Sequence, residues 1–150
     1  MGNIVVGVDG SEQSRAALEW ALQEAQLREA TLEVVSVYRL PSGWLGMGEA
    51  MGATIPVSIT ESDVVDYTTE MVDNLLKDVK PPTAVEVVRR VVPGQAAQVL
   101  VEAAAEADLL VVGTRGHGDV GSVLLGSVGM HCVHHASCPV VVVRGGPADS

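Results

Sequence analysis

One hundred and fifty residues suit one domain with a sizeable core, and 47% hydrophobic residues argue against disorder. Net charge is −10 with only nine Lys and Arg, too few to assemble a basic face for nucleic acid or an anionic membrane surface. Aromatics are 3% and Phe is absent, so Val, Leu and Ala must fill the interior, which favours β-branched strands on Ala-rich helices.

Ile4 to Val8 reads as a buried strand, apolar except for Gly7. Asp9-Gly10-Ser11 ends it. Ser11 is a good N-cap, and Glu12 suits a first helical turn. Leu18, Ala21/Leu22 and Ala25 then repeat at helical spacing. A second strand is expected from Thr31, with Leu32, Val34, Val35 and Val37 as its apolar positions. Pro41 to Ile59 carries four glycines, Trp44, Met47 and Met51 with no lasting period. It reads as a long mobile loop, either a plain connector or a flap over a ligand. Thr60 or Ser62 can cap the next helix, whose buried stripe is Val65, Thr68, Val72, Leu75/Leu76 and Val79. Lys77 and Lys80 suit its C-terminal end, and Pro81-Pro82 stops it. Val85, Val87 and Val88 open a third strand that ends near Val92-Pro93-Gly94. Ala96, Val99/Leu100, Ala103 and Ala107 mark another helix, and Leu109 to Val112 a fourth strand.

The fourth strand runs into Gly113-Thr114-Arg115-Gly116-His117-Gly118-Asp119-Val120-Gly121, and on to Gly126-Ser127-Val128. Val128, Cys132 and His135/Ala136 have helical spacing, and Val140 to Val143 forms a fifth strand before a short tail, Gly145 to Ser150. Strand, glycine loop, helix, strand is a layout that offers backbone N–H groups to an anion, because a helix N-terminus leaves its first donors unpaired. The loop is therefore expected to hold nucleotide phosphates; the plainer reading is a connector. No Gly-Lys-Ser/Thr closes it, so it is not a Walker A loop. The Gly-x-Gly-x-x-Gly match at Gly116, Gly118 and Gly121 comes late in the chain and lacks a downstream acidic partner, so it is not a dinucleotide fingerprint either. Alternation of strands and helices implies a parallel sheet with helices on both faces.

Gly113-x2-Gly116-x9-Gly126-Ser127, followed by Cys138-Pro139-Val140 to Arg144, closely resembles the universal stress protein family, as does the opening Ile4-Val5-Val6-Gly7-Val8-Asp9-Gly10-Ser11. The resemblance runs from about Asn3 to Arg144 and is to the branch that binds ATP. It implies a flavodoxin-like domain over residues 1–150, a five-stranded sheet of order 3-2-1-4-5, and a switch point between strands 1 and 4 that brings the Asp9 turn to the Gly113 loop. Asp9, just past strand 1, is the strongest side-chain candidate, placed to bond a ribose hydroxyl or help hold Mg2+ or Mn2+ on the phosphates, and the resemblance implies that it lines the nucleotide pocket; the plainer reading is a turn residue ahead of the helix cap. The resemblance also implies an adenine contact from the backbone near Val37. Gly113, Gly116, Gly126 and Ser127 match the family's phosphate and ribose contacts, with Val128 a further donor, and Thr114, Arg115 and Gly118 complete the expected set. Arg115 could instead be a solvated loop arginine. Gly129 departs from the family pattern, in which the resemblance implies a Ser or Thr whose hydroxyl would touch phosphate.

The expected function is thus an ATP-binding stress sensor or regulator, a homodimer pairing through strand 5, with at most slow ATPase turnover. A nucleotide hydrolase or transferase and a nucleotide-free interaction module are the alternatives. Cys132 and Cys138 are too few for a disulfide framework. No apolar stretch has transmembrane length and no signal peptide is visible after Met1-Gly2-Asn3, so a cytoplasmic location is expected. His117, His131, His134 and His135 with Cys132 and Cys138 fit no common zinc spacing; a helix would set His134 and His135 one turn on from His131, allowing two ligands with no third or fourth evident, and the plainer reading is a helix-end cluster in which His134 and His135 favour the C-terminal dipole.

Overall fold

A computed structural model describes residues 2–39, 59–114 and 126–144. The elements are β1 (Asn3–Gly7), α1 (Glu12–Arg28), β2 (Thr31–Tyr38), α2 (Glu61–Val79), β3 (Val87–Pro93), α3 (Ala96–Ala103), β4 (Leu109–Gly113), α4 (Ser127–His135) and β5 (Val140–Val143). The strands form one parallel sheet in the order β3-β2-β1-β4-β5, as the family resemblance implies.

The apolar runs of the central strands divide between the two faces because successive side chains point opposite ways. Ile4, Val6, Leu109 and Val111 pack with α1 and Val72 of α2 on one face. Val5, Leu110 and Val112 pack with Leu100 of α3 and Cys132 of α4 on the other. Each fully buried Val or Leu contributes about 1.5–3 kcal/mol. β3 and β5 are the sheet's edges. Arg89 and Arg90 stand exposed on β3, paired with Asp73 and Glu33, and charges of this kind discourage stray strand pairing.

Local signals place most boundaries. Ser11 caps α1 by accepting the Ser14 N–H, and Gly10 takes φ 87°, which frees the Asp9–Ser11 turn from Cβ strain. Of the two candidate caps of α2, Thr60 serves: its hydroxyl accepts the Asp63 N–H while the Asp63 carboxylate accepts the Thr60 N–H. Those bonds hold the Asp63 carboxyl below its usual value.

Two boundaries differ from the sequence reading. Val85 is buried but lies before β3; its N–H donates to the Pro82 carbonyl in the turn made by the proline pair. Ala107 lies beyond α3, which ends at Ala103. There the chain tightens through Ala105 N–H to Glu102 O and Ala107 N–H to Ala104 O. This returns Asp108 to β1, where it exchanges two hydrogen bonds of 2.8 Å with Asn3. The loop expected over Pro41 to Ile59 lies outside the described residues apart from Ile59, as does the tail from Gly145 to Ser150.

Candidate functional site

β1 pairs with β2 on one side and β4 on the other. The helices that follow β1 and precede β4 lie on opposite faces of the sheet. Such a switch point leaves a crevice outside the carboxyl ends of the strands. Here it has a volume of about 260 Å³. Asp9, Val37, Gly113, Thr114, Gly126, Ser127 and Val128, far apart in sequence, all line it. Arg115, Gly116 and Gly118 lie outside the described residues.

The Asp9 turn is held by a small serine network. Asp9 Oδ1 accepts the Ser11 N–H at 2.9 Å, and the Asp9 N–H donates to Ser14 Oγ at 3.2 Å. Ser14 Oγ in turn donates to the Ser11 carbonyl at 3.0 Å. The carboxylate is thereby oriented at the exposed lip of the crevice.

The opposite wall is the start of α4. Gly126 is its N-cap and supplies no side-chain cap. Its carbonyl accepts the Met130 N–H, the first intrahelical bond, so the helix offers no acceptor to the amides of Ser127, Val128 and Gly129. All three residues line the crevice. Their N–H groups and the helix dipole give this wall positive character, with no cationic side chain among the described residues that line it. The wall is fixed to the sheet: the Gly126 N–H donates to the Thr114 carbonyl at 2.6 Å, and the Thr114 N–H to the Val143 carbonyl at 3.1 Å.

Val37 lines the crevice from the end of β2, where its neighbour Tyr38 donates a 2.8 Å hydrogen bond to Glu61 at the start of α2. That bond raises the Tyr38 phenol above its ordinary value. Ala96 and Leu100 of α3 complete the apolar side of the crevice. Sequence reasoning missed Ala96, Leu100 and Ser14 as site residues. Ser14 had a signal, a second hydroxyl three residues after the cap; Ala96 and Leu100 read only as a helix stripe. Among the described lining residues Asp9 is the one titratable side chain. Behind the apolar side, burial and the neighbouring Cys138 push the Cys132 thiol up to about 11, so it is no nucleophile at neutral pH.

Comparison with known proteins gives one consistent result. The model of the universal stress protein family matches residues 1–144. A universal stress protein of Mycolicibacterium smegmatis is 33% identical over 143 residues, covering 95% of this chain and 48% of that protein. The chain thus spans about half the length of the curated relatives it matches. Universal stress protein UspA from Lactobacillus plantarum superposes with a TM-score of 0.74 at 24% identity, covering 95% and 97% of the two chains. A universal stress protein crystallised in complex with cAMP superposes with a TM-score of 0.65 at 26% identity, covering 97% and 98%. With the parallel sheet, its strand order and the crevice at its switch point, the match over residues 1–144 establishes that the chain belongs to the universal stress protein family.

Proposed function

We propose that the crevice binds ATP and that the chain acts as a nucleotide-dependent stress regulator, a cytoplasmic homodimer. The observation that carries the reading is the uncapped N-terminus of α4 opening into the same crevice as Asp9 and Val37. Phosphates would sit on the Ser127, Val128 and Gly129 amides, and adenine against the β2 end beside Ala96 and Leu100. Asp9 would bond the ribose or share a metal ion with the phosphates. The similarity to a relative solved with cAMP supports an adenine nucleotide as the ligand class.

The residues fit Mg2+ or Mn2+ only as ions carried in by the nucleotide. No group of three or more His, Cys, Asp or Glu among the described residues could hold a metal. Mg2+ bound by one carboxylate, phosphate oxygens and water suits its ordinary habit. Turnover, if any, is slow on this reading. Pairing would use β5, an edge strand of four half-buried valines with one side of its backbone unmatched in the sheet.

The test is Ser127→Pro. Position 127 opens α4, where proline's fixed φ is favoured, and Gly126 at φ −67°, ψ 168° already has the extended backbone that precedes proline. The substitution deletes one amide donor with little strain. ATP affinity by calorimetry should fall by about tenfold, the worth of one hydrogen bond to a charged group, while the melting temperature holds. Ser127→Ala, which keeps the amide, should lose less. Unchanged affinity in Ser127→Pro would remove the phosphate cradle from the account.

A further inference from the structure

His131, His134 and His135 crowd the C-terminal half of α4, the end away from the crevice. His131 and His135 are four residues apart and so share one face of the helix. Their ring centroids are 4.3 Å apart, with the planes tilted by 40°. The His134 ring is 6.4 Å from that of His135. The geometry points to a second site here: a chelate made by His131 and His135 for a late first-row divalent ion, Ni2+, Cu2+ or Zn2+.

Two ligand nitrogens that each lie ~2.1 Å from one ion are at most ~4.2 Å apart. The ring separation is already close to that range, so chelation needs ring rotation and no movement of the helix backbone. His135 is exposed and His131 half-buried, which leaves ring nitrogens within reach of water. The field also favours a cation. The last turn of a helix carries partial negative charge, and the whole chain has a net charge of −10. Imidazole prefers the late transition metals over Mg2+ or Ca2+, and it must be neutral to bind them. Since no third His, Cys, Asp or Glu joins the pair among the described residues, water fills the remaining positions. This is an exchangeable surface chelate, unlike the closed four-ligand cage of a structural zinc.

The experiment adds Ni2+ alone to the full chain, following imidazole proton NMR signals and calorimetry. The expected result is one ion per chain, with the His131 and His135 ring signals broadening together. His131→Gln and His135→Gln should each weaken binding by about tenfold or more, since even outer partners of a metal ligand are worth that much. His134→Gln should bind as the parent does. Parental affinity in both His131→Gln and His135→Gln would overturn the proposal. So would loss of binding in Cys138→Ser alone, which would put the ion on the thiol.

Discussion

A methyl group added at Gly113 would sit 2.8 Å from the Gln13 backbone oxygen and 2.9 Å from its carbonyl carbon. Both are backbone atoms of α1, so neither can swing aside. Gly113→Ala should therefore cost about 1–3 kcal/mol in urea unfolding, with no ligand present. The glycine that opens the loop is needed for packing as well as for any anion, so lost binding in that variant would not identify a ligand contact. Cys132 supplies a pH test. Its thiol rises from an ordinary value near 9.0 to about 11 in the fold, through burial first and Cys138 second. A raised value means that the contribution is present below pH ~9 and is lost as pH climbs to ~11, because only the unfolded chain has released the proton. Unfolding midpoints should fall across that window, and Cys132→Ala should flatten the fall. Equal slopes in the two proteins would contradict it.

Among the elements, the first turn of α1 does two jobs. Ser11 Oγ accepts the Ser14 N–H at 3.1 Å, and Ser11's own N–H holds Asp9 Oδ1. Both serines are buried, so losing the hydroxyl leaves the Ser14 amide without its acceptor. Ser11→Ala should lower stability by about 1 kcal/mol in urea titration, the usual worth of such a cap. The Asp9 turn should loosen with it, visible as faster amide exchange at residues 9–11. α4 shows the opposite arrangement. Among the described residues no side chain caps it, and its first residues line the crevice, whereas α1 has the Ser11 hydroxyl as its cap.

For the whole molecule, the net charge of −10 opposes any nucleotide arriving from solution, while the amide donors proposed to hold it would act only at contact. Screening should weaken the long-range repulsion more than the short-range bonds, since the Debye length shrinks from about 30 Å at 0.01 M salt to about 10 Å at 0.1 M. The association rate of a fluorescent ATP analogue should therefore rise with salt in stopped-flow measurements. A rate that falls steeply with salt would mean that a cationic funnel dominates. Pairing through β5 is tested by light scattering: a monomer at micromolar concentration would count against it.

Much of this architecture was legible in the chain. Apolar runs of four or five residues bounded by Gly, Asp or Pro mark β1, β4 and β5, interrupted Val-rich stretches mark β2 and β3, and helical stripes such as Leu18, Ala21/Leu22 and Ala25 mark the helices, because these signals are local. The boundaries at Val85 and Ala107 were misplaced, since each is apolar and buried or near a helix stripe; what excludes them is a turn that returns the chain to its strand. The sequence determined the elements, the acidic character and the spacing Gly113-x2-Gly116-x9-Gly126-Ser127. Only the tertiary structure decided that Asp9, Val37 and Ser127 meet in one crevice, that Ser14 and Leu100 share it, that Gly113 packs on Gln13, and that His131 and His135 stand ring to ring. Periodicity reports which way a side chain points along its own element. What it meets there depends on other elements of the chain, or on rotamers that no spacing specifies.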